Sequence, residues 1–219
     1  MKSFWLSEDL WIIRFNQSET TSAHIRAIEK IITTRFQDVI RETIPTTTTL
    51  GIYVHTTSPR TMINKLEHEW EALAQTAIFD VDHQPRIIDI PVVYGGEEGP
   101  DLAFVAEHTG LSEEQVVEKH TSVLYPVEMI GFAPGFPYLA GLPEEIFAPR
   151  KETPREKIVA GSVGIAGSQT GIYSISTPGG WQIIGRTTVE LFLSNEDPPS
   201  LLQPGDLVRF VALGRDEDA

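Results

Sequence analysis

The sequence predicts an α+β protein in two domains, a small α+β unit over residues 1–83 and a glycine-rich β-barrel or sandwich over residues 84–219. Three observations carry this expectation. The first third switches between strand-like apolar runs and the three- and four-residue spacing of amphipathic helices, the order of a small sheet covered by helices. A polar passage, FDVDHQPR, separates this unit from the apolar run RIIDIPVVYGG and places the boundary near Val81 to Gln84. Beyond it, 12 of the 17 glycines lie at or after Gly131 with strand-length apolar runs between them, which favours short strands joined by tight turns over a parallel α/β sheet.

The elements follow in order. FWLSEDLWIIRF reads as two short strands, because Trp5, Trp11, Ile12, Ile13 and Phe15 are good β-formers on either side of the polar Ser7-Glu8-Asp9. From Ser22 the spacing turns helical: Ile25, Ile28, Ile31 and Ile32 share a face, and the Ser22 hydroxyl is placed to cap free amides. ETIPTTTTLGIYVHTT is extended chain rich in β-branched residues, with Gly51 expected as a bend or bulge. Ser58-Pro59 opens a second helix, where the missing proline N–H costs nothing, and Met62, Leu66, Trp70, Leu73 and Ala74 form its apolar face. In the second half, GPDLAFVAEHTGLSEEQVVEKH is two short helices joined at Thr109-Gly110, with Ser112 and Gln115 at capping-box spacing. The last strand is DLVRFVAL, and GRDEDA is a charged tail expected to fray.

Composition removes several function classes. With no cysteine, the chain has no disulfide, thiolate nucleophile, thiolate zinc site or iron–sulfur ligation. A formal net charge of -14 repels a phosphate backbone and an anionic membrane surface alike, so neither nucleic acid nor membrane is an expected partner. No apolar run nears the roughly 18 residues that span a bilayer. MKSFWLSEDLWIIRF lacks the basic region and cleavage site of a secretory leader, which points to the cytoplasm. The histidines, at 24, 55, 68, 83, 108 and 120, show no ligand spacing, so no metal is expected. There is no G-x-x-x-x-G-K-[ST] phosphate loop and no G-x-S-x-G elbow, so this chain by itself is expected to bind neither ATP nor another cofactor.

Four features are left to carry chemistry. In GFAPGFPYLAGLP, Pro134 and Pro137 restrict the backbone while Gly131 and Gly135 supply the turns, so nearby aromatics are held rigidly. Phe136 and Tyr138 are the expected displayed surface, and core packing is the alternative for Phe132. The passage from Ala160 to Thr187 holds seven glycines, which serve either tight barrel corners or a concave surface of exposed amides. APRKETPREKIV sets Arg150, Lys151, Arg155 and Lys157 against Glu152 and Glu156: an anion clamp, or a solvated loop whose charges pair among themselves. His120 ends the capped helix, either as a proton carrier near neutral pH or as a group that interacts with the helix C-terminal carbonyls.

Taken together, IPVVYGGEEGPDLAFVAEHTGLS, GFAPGFPYLAGLP, the pair Pro149-Arg150 and Pro154-Arg155, AGSVGIAGSQTGIY, and TPGGWQIIGRT followed by LF resemble the PxpB/KipI family, also called allophanate hydrolase subunit 1, across Arg86 to Phe210. The resemblance implies a cyclophilin-like β-barrel as the second domain, without prolyl isomerase activity. It further implies the B subunit of a 5-oxoprolinase that works with A and C subunits, the assembled complex using ATP to convert 5-oxoproline to glutamate. On that basis Arg150, Arg155 and Arg186 are candidates for a substrate carboxylate or phosphate. Phe136, Tyr138 and Trp181 would shape the wall, Gln169 and Tyr173 would hydrogen-bond the amide, and His120 is the candidate proton carrier. Two alternatives are implied by other branches: an inhibitor that docks its GFAPGFPYL surface on a sensor histidine kinase, and a component of a urea- or allophanate-metabolising complex. No biotin-attachment segment is present. Val159, Ser174 and Thr188 stand where the family pattern usually has proline, which opens the question of how rigid those turns are.

Overall fold

The computed structural model describes residues 2–16, 22–75 and 85–214, which fall into two compact units divided between Gln84 and Pro85. The expected boundary segment, Val81 to Gln84, and residues 215–219 of the charged tail lie outside the described residues.

In the first unit the strands β1 (Lys2–Trp5), β2 (Leu10–Arg14), β3 (Ile40–Pro45) and β4 (Thr49–Val54) form an antiparallel sheet in the order β1-β2-β4-β3. Helices α1 (Ser22–Arg35) and α2 (Arg60–Gln75) supply the apolar stripes that the isoleucine and leucine spacing predicts. Register sets Trp11 opposite Ile52 and Ile13 opposite Leu50, so one face of the sheet is apolar. That face packs with Ile25, Ile28, Ile32, Leu66 and Trp70, whose ring meets Trp11 edge-on at 5.9 Å. The turn between β3 and β4 contains no glycine. Thr46 closes it instead, its N–H donating to Thr49 O (2.8 Å) and its Oγ1 accepting from the Thr49 N–H (2.9 Å). Gly51 departs from expectation: it pairs regularly with Ile12 and Ile44, and the register shift falls between Ile40 and Glu42.

The second unit is a closed barrel. Its elements are β5 (Ile87–Tyr94), α3 (Leu102–Thr109), α4 (Glu113–Thr121), β6 (Tyr125–Ile130), β7 (Pro137–Leu139), β8 (Arg155–Ile158), β9 (Ser162–Ala166), β10 (Gln169–Ile172), β11 (Thr177–Gly179), β12 (Gln182–Arg186) and β13 (Leu207–Leu213). Around the barrel the order is β10-β7-β6-β13-β5-β12-β9, while β8 and β11 pair as a separate ribbon. The first and last strands of the unit, β5 and β13, lie side by side in parallel from Leu207–Ile87 to Leu213–Val93, and every other barrel pairing is antiparallel. Alternation along β5 sends Ile90, Val92 and Tyr94 into the interior, where they meet Val127, Ile165, Ile184 and Phe210.

Helix α3 ends at Gly110, whose left-handed φ of 72° lets its N–H reach Ala106 O. The capping box opening α4 forms in full: the Gln115 N–H donates to Ser112 Oγ (3.2 Å) and the Ser112 N–H to Gln115 Oε1 (2.9 Å). Among the described residues no helix is long and apolar enough to cross a membrane.

Candidate functional site

Phe136 is the hub of an aromatic cluster on the barrel. Its ring makes edge contacts with Phe132 (5.4 Å between centroids), Tyr138 (5.0 Å), Tyr173 (5.3 Å) and Trp181 (5.5 Å), an arrangement that suits ring quadrupoles better than face-to-face stacking. Three connections bring these residues together: the β6–β7 turn carries Phe132 and Phe136, the chain after β10 carries Tyr173, and the β11–β12 turn carries Trp181. The rings and Arg150 line a cavity of about 100 Å³.

Glycine 179 makes the close packing possible. A Cβ there would collide with the Tyr173 hydroxyl and come within 2.8 Å of Ile158 Cδ1. Burial pushes the Tyr173 phenol pKa above its ordinary value, against the opposing hydrogen bond from the Trp181 backbone, so the hydroxyl stays neutral. Ser174, in the place of a family proline, donates from Oγ to Pro134 O at 2.5 Å and so ties the two aromatic-bearing segments together.

The three candidate arginines have different fates. Arg155 donates from a terminal nitrogen to Asp101 Oδ1 at 2.8 Å, and Lys151 Nζ reaches the same oxygen at 3.2 Å. Arg186 pairs with Glu98 Oε2 at 3.2 Å and donates from Nε to Ala160 O. Arg150 has no carboxylate partner among the described residues, and its guanidinium carbon lies 5.9 Å from the centroid of Trp181.

Asp101 organises the cavity wall from behind. It is 5% exposed, and its Oδ2 accepts the Ile183 N–H at 2.7 Å while Oδ1 takes the two cations. Burial raises its pKa, but the hydrogen bonds from Arg155, Ile183 and Lys151 outweigh burial and hold the carboxyl below its ordinary value. Through the Lys151 N–H bond to Gly180 O (2.7 Å), this hub steadies the turn that presents Trp181.

His120 stands elsewhere, fully buried in the barrel core against Tyr94, Tyr125 and Phe210. Thr170 Oγ1 donates to Gly164 O (3.0 Å), so it accepts from His120 Nε2–H (3.0 Å), which leaves Nδ1 to accept from the Tyr94 hydroxyl (2.8 Å). Desolvation lowers the imidazole pKa to about 3, so it is neutral at physiological pH and both its nitrogens are engaged. Its ring meets Tyr94 and Thr170, not the helix C-terminal carbonyls.

The structure thus brings together Phe136, Tyr138, Arg150, Tyr173 and Trp181, and leaves Arg155, Gln169, Arg186 and His120 outside the cavity lining. Phe136 is buried at 1% exposure, whereas Phe132 is the exposed ring at 61%, the reverse of the assignment expected for these two. The turn hydrogen bonds direct Phe132 outward and seat Phe136 beneath it. Asp101 is absent from the residues expected at the site; its one signal in the sequence is an acidic residue at a helix start, with a basic loop elsewhere in the chain that needs a counter-charge. Among the described residues no group of three or more histidines and carboxylates is placed to hold a metal ion.

Residues 1–202 match the model of the carboxyltransferase domain, subdomain C and D. The chain belongs to this family. Within it the chain is a member of the PxpB/KipI branch, and the expected barrel architecture stands. The B subunit of the 5-oxoprolinase of Escherichia coli O157:H7 is 55% identical over 149 residues, 68% of this chain and 66% of that protein. The protein of the same name from Bacillus subtilis (strain 168) is 57% identical over 143 residues, 65% of this chain and 59% of that protein. The matched part of the chain therefore spans less than two thirds of the length of either relative. The crystal structure of TTHA0988 matches with a TM-score of 0.78 at 31% identity, covering 96% of this chain and 41% of that one.

Proposed function

We propose that the chain acts as the B subunit of a heteromeric, ATP-dependent 5-oxoprolinase, with the A and C subunits as partners, and that the aromatic cavity receives the carboxylate-bearing lactam ring. The names of the relatives support the reaction. The observation that carries the site is Arg150, whose positive charge stands beside Trp181 without a carboxylate partner among the described residues, while Arg155 and Arg186 are paired with Asp101 and Glu98. Aromatic faces by themselves favour a cation. A guanidinium at the same cavity reverses that preference and selects an anion with a small apolar body.

Amide resonance makes unassisted opening of the five-membered lactam slow. ATP phosphorylates the lactam oxygen and leaves as ADP, water adds to the activated carbon, the ring C–N bond breaks to give an acyl phosphate, and a second water releases phosphate to give glutamate. The phosphoryl chemistry belongs to the other subunits, because this chain has no phosphate loop. This chain binds and orients the lactam, so that binding geometry supplies its share of the rate.

The test is ATP-dependent glutamate release from 5-oxoproline by the cognate A and C subunits with and without this chain. Release that requires the chain is the expected result. No release from a demonstrably assembled complex overturns the assignment.

A further inference from the structure

We infer that Phe132 is a strained aromatic lip of the cavity, kept in its conformation to close on the small anionic ring bound there. The inference rests on the function proposed above and goes beyond it by naming a specificity-determining residue.

Phe132 is the only described non-glycine residue with positive φ, at 68°. The Ala133 N–H donates to Gly131 O at 2.8 Å across it, an i to i+2 bond that makes Phe132 the centre of a γ-turn of the rare, strained kind. Glycine is the residue that takes a positive φ without cost, and Gly135 has one three residues later, at 72°. A bulky side chain persists in such a conformation only where its surroundings over-determine it. They do so here: the Gly131 N–H donates to Phe136 O (3.0 Å), the Phe136 N–H to Ala133 O (3.0 Å), and Ser174 Oγ to Pro134 O (2.5 Å).

The ring gives little back to the fold, since it is 61% exposed and touches the cluster only edgewise, at 5.4 Å from Phe136 and 6.3 Å from Tyr173. Of the other rings at the cavity, only Tyr138 is half-buried. Phe136, Tyr173 and Trp181 are at most 5% exposed, already packed against one another. Phe132 therefore offers a solvent-facing apolar surface at the same cavity as Arg150, and an occupant that covers it recovers burial the folded chain leaves unused. Strain and exposure in one side chain have a common explanation if its contacts are completed by a ligand.

The experiment compares Phe132→Gly, Phe132→Ala and Phe132→Tyr with the wild type in the assembled complex. Both small variants should raise the KM for 5-oxoproline about five- to tenfold with kcat within about twofold, and Phe132→Tyr should restore KM. Phe132→Gly, which relieves the turn, should melt above Phe132→Ala, which keeps the strain. Unchanged KM in an active complex overturns the inference while leaving the proposed function standing. Loss of assembly on size-exclusion, with no KM change in the complex that remains, also overturns it by making Phe132 a contact between subunits. A wild-type complex without glutamate release removes both readings.

Discussion

Replacing Asp101 by alanine tests whether one buried carboxylate holds the cavity wall. The substitution removes three hydrogen bonds at 2.7, 2.8 and 3.2 Å and leaves the Ile183 N–H without its acceptor inside the barrel. An orphaned buried donor costs about 1–3 kcal/mol. Stripping the counter-charge from a buried pair costs about 3–5 kcal/mol. The Arg155 and Lys151 side chains are 29% and 31% exposed, so water compensates part of that second cost. These contributions overlap, and a net loss of about 3 kcal/mol follows, which for a barrel of this size lowers its melting temperature by roughly 10 °C. Asp101→Asn keeps an acceptor for Ile183 and should lose about half as much. Calorimetry of the full chain reads the shift in the barrel transition. The carboxyl pKa is depressed in the fold, so its contribution is present above the unfolded value near about 3.9 and is lost as pH falls through the folded value. The gap between wild type and variant should accordingly narrow below about pH 4. A shift under about 2 °C at neutral pH, or a gap that widens on acidification, refutes the reasoning.

Further outcomes are expected at the cavity and in the core. Arg150→Ala should raise the KM for 5-oxoproline about ten- to a hundredfold, the worth of a charge-assisted contact, with Arg150→Lys between the two; steady-state kinetics of the assembled enzyme decides it. The buried neutral His120 should make the wild type lose about 2 kcal/mol between pH 7.5 and pH 5, because the unfolded imidazole binds a proton below about 6.5 while the folded one resists down to about 3. His120→Leu should be less stable at pH 7.5, with Tyr94 and Thr170 left unpaired, yet show a flatter slope over that interval in denaturant titrations. Gly179→Ala should destabilise the barrel by about 1–3 kcal/mol and displace the Tyr173 ring, visible as a lower melting temperature and altered near-ultraviolet dichroism.

The sequence by itself determined the local order of this protein and its barrel-type second half. Capping residues at Ser112 and Gln115, isoleucines at helical spacing, and glycines between short apolar runs act through neighbours a few residues away, so their outcome is written where they stand. The threonine turn at Thr46 and the regular pairing of Gly51 were decided by hydrogen bonds and register that composition does not reveal. At the candidate site the residue types were legible and their assignment was not. Arg150, Arg155 and Arg186 look equivalent along the chain, and only the folded positions of Asp101 and Glu98, about 50 to 90 residues away, give two of them a carboxylate partner and leave the third without one. Phe132 and Phe136 are likewise alike in sequence, but a positive φ at one sends it outward and seats the other in the core. His120 reads as a proton carrier until the barrel closes around it. Charge, exposure and pKa are properties of what packs against a group, and in a barrel whose first and last strands pair with each other, those neighbours come from distant parts of the chain.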